Sequence, residues 1–375
     1  MTKIIIAPDK FKSSLSGLEV CEAIEIGIKK QAPHVQIEKL PLADGGDGTV
    51  EVLQYYLNGK MISVEVKDPL GRKVNASYWY SKTKGIAFIE MAAASGIRLL
   101  TEYEANPLNT STYGTGELIK DALDKGVNHI ILGIGGSATN DAGIGMAKAL
   151  GYRFFDKDQN ELIGLGKDLK RVKRTDNTRV HPKIKDVKFE VACDVDNPLF
   201  GSHGAAYVYA SQKGASGPMI EQLDKGLRAF NEMAKKQFQL DLQNIKGAGA
   251  AGGLGAGSIL FLDARLQSGI ELIKNVADFN KKIKTADWII TGEGKLDSQT
   301  FSGKVIRGVL DSIEQQNLAL FCGSVDLSEE ERSRIQIEYI AETSAYAKNL
   351  DDSMQSAGKY LKMAAEEFGK KLKVK

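Results

Sequence analysis

Cysteine is scarce: Cys21, Cys193 and Cys322 are the only three, far apart and odd in number. None stands at metal-ligand spacing, so neither a disulfide scaffold nor a cysteine metal site is expected, and the usage fits a reducing cytosol. No apolar run approaches the ~20 residues of a membrane helix. The first apolar run, Ile4 to Ala7, is cut off by Pro8-Asp9-Lys10, so no signal segment is expected and the cytoplasm is the expected compartment. Charge of one sign is lacking too: the net value is +2, with acidic and basic residues interleaved. The one strongly basic stretch, Lys167 to His181, has no aromatic residues among its charges. A nucleic-acid partner is therefore not expected. Several catalytic signatures are missing as well. No G-x-x-x-x-G-K-[ST] loop, H-R-D triplet, G-x-S-x-G elbow or metal-spaced His pair occurs.

Glycine, by contrast, is abundant: the 39 glycines exceed the average usage of roughly 7% and gather in loops. The richest stretch runs from Ile130 to Gly145. A β-branched run breaks into Gly133, Gly135, Gly136 and Ser137, and a helical pattern resumes with Met146, Ala147 and Leu150 on one face. Strand, glycine turn and helix leave backbone N–H groups free where an anion is favoured. Ser137, Thr139, Asn140 and Asp141 add polar groups at the mouth, so the leading expectation is a site for a phosphorylated ligand. Two other readings stay open on these residues. Gly133, Gly135 and Ala138, with Asp156 further on, satisfy the dinucleotide fingerprint of an NAD-dependent dehydrogenase. A tight turn with no ligand is the other.

Elsewhere the chain alternates apolar strands with polar, glycine-punctuated loops that open helices. Lys3 to Ala7 leads into Lys10, Lys12, Ser13 and Ser14, and Val35 to Leu42 into Asp44-Gly45-Gly46-Asp47. Phe189 to Cys193 leads into Asp194 and Asp196, followed by the lone His203, and Ala286 to Ile290 into Glu293, Lys295 and Asp297. Gly303-Lys304-Val305-Ile306 is expected to open a further helix. Between Met61 and Ile89 the period changes to strict alternation around Asp68-Pro69-Leu70-Gly71-Arg72, which predicts a hairpin. The return of the strand–helix style at the C-terminal end predicts a discontinuous α/β domain with a large insertion. Strand-end loops rich in N–H donors, lysines and carboxylates suit phosphoryl transfer, which needs mainly positioning and charge neutralisation. A cytosolic two-domain sensor that closes on a phosphorylated small molecule is the non-enzymatic alternative.

Several motifs carry a resemblance. Ala7-Pro8-Asp9-Lys10-Phe11-Lys12-Ser13-Ser14-Leu15-Ser16, Pro41-Leu42-Ala43-Asp44-Gly45-Gly46-Asp47-Gly48-Thr49 and Gly135-Gly136-Ser137-Ala138-Thr139-Asn140-Asp141 are similar to the bacterial type I glycerate kinase family. So are Asp68 to Arg72, Ser111 to Gly116, Cys193 to Leu199 and Thr291 to Asp297, in the family's order across nearly the whole chain. Departures are Lys10 where the family usually has Ser, Asp47 where Glu is common, Leu296 where Ile is common, and Ser211 where Pro usually precedes Gln212-Lys213-Gly214.

The resemblance implies phosphorylation of D-glycerate with ATP and Mg²⁺, usually to 2-phosphoglycerate. It also implies a Rossmann-like three-layer α/β domain made of both chain ends (residues 1–64 and 286–375). A second α/β domain (65–285) would carry the glycine-rich loop, with the active site in the cleft between the two. Lys12, Asp44 and Asp194 are the expected catalytic residues, Asp44 and Asp194 also the metal ligands. Gly135, Gly136, Ser137, Thr139, Asn140 and Glu293 are expected at ATP, and Lys10, Ser14, Gly45, Gly46, Arg72 and Asp297 at the acceptor. Arg72 would pair bidentately with the glycerate carboxylate, the other reading being a solvated turn arginine.

Overall fold

The structure, a computed structural model, describes residues 1–46, 48–297, 300, 305–328 and 337–372. It is a mixed α/β fold with parallel sheets, and the chain divides into two compact units, residues 1–56 with 268–375 and residues 57–267. Asp47, Gly303 and Lys304, named above, lie outside the described residues.

In the first unit, five parallel strands form one sheet in the order Tyr339–Glu342, Asn317–Cys322, Trp288–Thr291, Lys3–Ile6, Gln36–Lys39. Numbered along this unit, the order is 2-1-3-4-5, so it reverses between Lys3–Ile6 and Trp288–Thr291. Ligands of open α/β sheets bind outside the carboxyl ends of strands at such a point. Ile4, Ile5 and Ile6 are fully buried, as an unbroken apolar strand covered on both faces requires. Ile4 pairs with Trp288 and Ile6 with Ile290, which joins the two ends of the chain. Ser16 caps the helix Gly17–Gln31 through a reciprocal bond with Glu19. That helix packs on the helix Ala357–Leu372 so closely that a Cβ on Gly27 would stand 2.4 Å from the Lys362 carbonyl oxygen.

The second unit holds a six-stranded sheet in the order Arg265–Gln267, Lys188–Ala192, His129–Gly133, Ile86–Glu90, Lys73–Ser81, Lys60–Lys67. The first four strands are parallel, and the last two are the antiparallel hairpin that the alternation predicts. Lys60 to Lys67 pairs along its whole length with the strand Lys73–Ser81, so residues 57–64 belong here rather than with the N-terminal segment. At the other junction Gly269 lies against the Asp44 backbone, with room for no Cβ, and residues 268–285 join the first unit.

Candidate active site

In the first unit, the chain stays extended past the strand ends before turning. Asp9 N–H donates to the Gly292 carbonyl (2.9 Å), and Leu42 N–H to that of Pro8 (2.9 Å). This brings the loops after Lys3–Ile6, Gln36–Lys39 and Trp288–Thr291 to one rim, with Asp9, Asp44 and Glu293 on them. Burial and the negative charges of Asp44 and Glu293 push the Asp9 carboxyl up to about 7, against the Lys10 N–H at 2.7 Å and the Lys10 ammonium. Asp44 accepts from the Gly46 N–H (3.0 Å) across a turn in which Gly45 has φ +88°. Glu293 accepts from the Thr300 hydroxyl, which itself accepts from the Asp297 N–H at 3.0 Å. Lys295 bridges Asp326 at 2.9 Å and lies 3.7 Å from Asp297.

A cavity of about 630 Å³ opens beside this rim, with Asp9, Lys10, Ser14 and Ser16 among its polar lining and Phe11 and Leu18 among its apolar lining. The Ser14 hydroxyl donates to the Met354 carbonyl (3.0 Å), and Lys12 is exposed on the same loop. Of the expected first-unit residues, the structure thus gathers Lys10, Ser14, Asp44 and Glu293 at one rim. Asp9, which sequence reasoning missed, lies among them. Its signal in the sequence is its place inside the first motif, beside the more conspicuous Lys10 and Lys12.

The second unit corrects the glycine-loop expectation. The helix Ile144–Ala149 has only six residues, and its N-cap is Gly143, so Gly135 and Gly136 do not open a helix. The intervening loop is instead pinned at many points. Ala138 N–H donates to the Ser95 carbonyl, and Ala142 N–H to that of Gly252. The run of small residues from Gly247 to Gly257 packs against this loop: a Cβ on Gly252 would stand 2.1 Å from the Thr139 oxygen, and one on Gly257 2.2 Å from that of Ala142. The Asp141 carboxylate accepts from the N–H groups of Thr112, Gly143 and Gly145 and from the Thr112 hydroxyl, against the upward push of burial on its pKa. It is a buried brace for the loop. Asp156 likewise closes its own turn through Asp158, Asn160 and Arg171. The dinucleotide fingerprint thus lacks the helix its context requires.

Gly135 and Gly136 remain exposed, and a Cβ on Gly135 would meet nothing within 4 Å. Next to them Ser137, Thr139 and Asn140 are buried. The Thr139 hydroxyl and both polar atoms of the Asn140 amide have no hydrogen-bond partner among the described residues. Such orphaned groups point to an absent ligand or water. Lys213 is also buried, and its Nζ donates to Ser137 Oγ (2.6 Å) and to the Thr139 carbonyl (2.7 Å). Sequence reasoning missed it, because a lysine in a polar loop reads as solvated; only its place in the Gln212-Lys213-Gly214 motif marked it.

Asp194 is exposed on the loop after Lys188–Ala192, the strand next to the one that feeds the glycine loop. His203 offers its backbone carbonyl to Asn197 (2.9 Å). Arg72 is engaged on three sides, by Asp68 at 2.6 Å, Glu104 at 2.5 Å and the Leu99 carbonyl at 3.3 Å, so its guanidinium clamps the hairpin turn. Among the described residues, no group of three or more His, Cys, Asp or Glu is placed to hold a metal ion, and no helix is long and apolar enough to cross a membrane.

Residues 4–373 match the model of the glycerate kinase family. The chain belongs to that family. It is 45% identical over 371 residues to the glycerate kinase of Halalkalibacterium halodurans, covering 98% of this chain and 97% of that one. It is 47% identical over 307 residues to the glycerate 2-kinase of Escherichia coli, covering 82% and 81%. A crystal structure from Salmonella typhimurium LT2, provisionally described as a glycerate kinase 2, superposes with a TM-score of 0.89 at 41% identity, covering 100% and 98% of the two chains. Family membership makes the chain a kinase with glycerate and ATP as its substrates.

Proposed function

We propose that the chain transfers the γ-phosphoryl group of ATP to the 2-hydroxyl of D-glycerate, with Mg²⁺, in the cytoplasm. The observation that carries this reading is the convergence of Asp9, Asp44 and Glu293 at the carboxyl end of a parallel sheet, where the charges of Asp44 and Glu293 act on Asp9. A passive receptor for an anion has no use for such a cluster, whereas phosphoryl transfer needs carboxylates for a cation and for the acceptor proton. The five-stranded parallel sheet and its strand order support reading the first unit as a Rossmann-like three-layer domain. The name of the E. coli relative supports the 2-hydroxyl.

Mg²⁺ is usually held by one or two carboxylates together with substrate phosphates, so it does not need an all-protein cage. The carboxylates of Asp44 and Glu293 beside Asp9 suit such a cation, with Asp44 the proposed ligand in the first unit; Asp194 is the ligand proposed from the second. Bound there, the ion would neutralise charge on the phosphates. Either Asp44 or Asp194 takes the proton of the acceptor hydroxyl, and Asp9, poised near neutrality, joins them as a candidate. Lys12 contacts the oxygens of the transferring phosphoryl group as a compact charge. The exposed Gly135–Gly136 backbone receives ATP phosphates together with Ser137, Thr139 and Asn140, with Glu293 also at the nucleotide. Lys10, Ser14, Gly45, Gly46 and Asp297 serve the acceptor. Arg72 acts on it indirectly, by holding the hairpin turn.

The test is ADP release by the purified chain with ATP and Mg²⁺, comparing D-glycerate, L-glycerate and no acceptor. Release confined to D-glycerate supports the reading. Equal release with both isomers refutes the choice of D-glycerate, and undiminished release after the Mg²⁺ is removed with EDTA refutes the metal requirement.

A further inference from the structure

A buried cation stands behind the exposed glycines of the second unit. Lys213 is 2% exposed, and both acceptors of its Nζ, Ser137 Oγ and the Thr139 carbonyl, are neutral. Among the described residues no carboxylate comes within ion-pair distance of it. Asp141 is the one charged side chain that acts on it, and the Asp141 oxygens are already held by Thr112, Gly143 and Gly145. A buried ammonium hydrogen-bonded only to neutral groups, with its nearest carboxylate engaged elsewhere, weakens a fold unless something anionic completes it.

The neighbouring donors say where that anion sits. Ser137 accepts from Lys213, which leaves its own hydroxyl hydrogen to donate elsewhere. The N–H groups of Gly135 and Gly136 make no hydrogen bond among the described residues, and Gly136 has φ +69°. Successive free N–H groups around a left-handed residue form a concavity that attracts anions. We propose that Lys213 is the fixed cation and positioning residue of a phosphate site made by Gly135, Gly136 and Ser137. This deepens, and rests on, the reading that the loop receives ATP phosphates. Lys213 acts through Ser137 and the loop backbone, and its charge is completed only when the ligand is present.

A consequence separates this role from simple packing. Burial pushes the Lys213 pKa down to about 7, against the opposing pull of Asp141. The free protein therefore releases this proton near neutrality, and a bound phosphate draws it back. Binding of ATP is then coupled to proton uptake and weakens by up to about tenfold per pH unit above 7.

The experiment is isothermal titration of the full chain with ATP at pH 7 and pH 9, in two buffers of different ionisation enthalpy, alongside Lys213→Met, Lys213→Arg and Gly135→Val. The parent is expected to take up a proton at pH 9 and to bind more weakly there than at pH 7. Folded Lys213→Met is expected to weaken ATP binding at least tenfold and, in steady-state assays of ADP release, to raise the KM for ATP with the KM for glycerate unmoved. Lys213→Arg, which stays charged, is expected to bind ATP with a flattened pH dependence. Proton uptake absent from the parent, or unchanged ATP affinity in folded Lys213→Met, overturns the proposal. If Lys213→Met does not fold, proton uptake by the parent decides alone. Should Gly135→Val also bind ATP normally, the assignment of ATP to this loop falls; should only Gly135→Val lose affinity, the role of Lys213 alone falls.

Discussion

Replacing Asp9 by Asn separates what the carboxylate cluster does for function from what it does to the fold. Asn keeps the shape and still accepts the Lys10 N–H, but removes the charge that Asp44 and Glu293 oppose. The Asp9 carboxyl is displaced from 3.8 to about 7 in the native state. In the unfolded chain it ionises near pH 4, while in the native chain it holds its proton until about pH 7. The native state therefore binds more protons across that window, and its stability falls as pH rises through it. At about 1.4 kcal/mol per pH unit, the window sets a ceiling of about 4 kcal/mol. Solvent access and salt screening reduce this to about 1–2 kcal/mol at pH 8. Asp9→Asn escapes the loss. Its Tm, read by differential scanning fluorimetry without Mg²⁺, should match the parent's near pH 4 and exceed it by roughly 2–6 °C at pH 8. Its turnover should fall at the same time, as expected where strained site charges are kept for activity. A Tm difference that stays constant from pH 4 to pH 8, or a less stable variant at pH 8, would refute the reasoning.

Three further outcomes are expected. Asp194→Asn should lower kcat by about 10²–10⁴-fold if this exposed carboxylate takes the acceptor proton; an unchanged kcat in the folded variant removes it from that role. Gly135→Ala should leave the unfolding temperature unchanged, because its Cβ meets nothing within 4 Å, while the KM for ATP rises several-fold. A loss of stability with an unchanged KM would make that glycine structural. Gly27→Ala should gain about 1 kcal/mol of helix propensity yet lose about 1–3 kcal/mol net, as its Cβ meets the Lys362 carbonyl at 2.4 Å. Urea unfolding more resistant than the parent's would show that the two helices slide apart freely.

The strands were legible because burial on both faces leaves apolar runs, as at Ile4 to Ile6 and at Ile289 and Ile290. Their neighbours were not: the Thr291 hydroxyl bonds the Ala7 carbonyl across 284 residues, a pairing that no local pattern encodes. The glycine loop was found but its form was misread. Gly133, Gly135 and Gly136 suggested an immediate helix, whereas Asp141 and the distant Thr112 and Gly252 hold the segment in a longer loop. Nothing local in the run Gly247 to Gly257 marks its role, because the close approach of Thr139 and Ala142 is purely tertiary. Arg72 shows the converse: the motif drew attention to its charge, and the acceptors that consume it, Glu104 and Leu99, come from elsewhere in the chain.

The most direct measurement is the ³¹P spectrum of the product formed from ATP and D-glycerate, recorded with proton coupling. Phosphorylation of the 2-hydroxyl places one hydrogen on the ester carbon and gives a doublet, which is the outcome expected here. A triplet, from the two hydrogens beside the 3-hydroxyl, would contradict the assignment of the acceptor group; the absence of any phosphomonoester signal from folded protein would contradict glycerate as the acceptor.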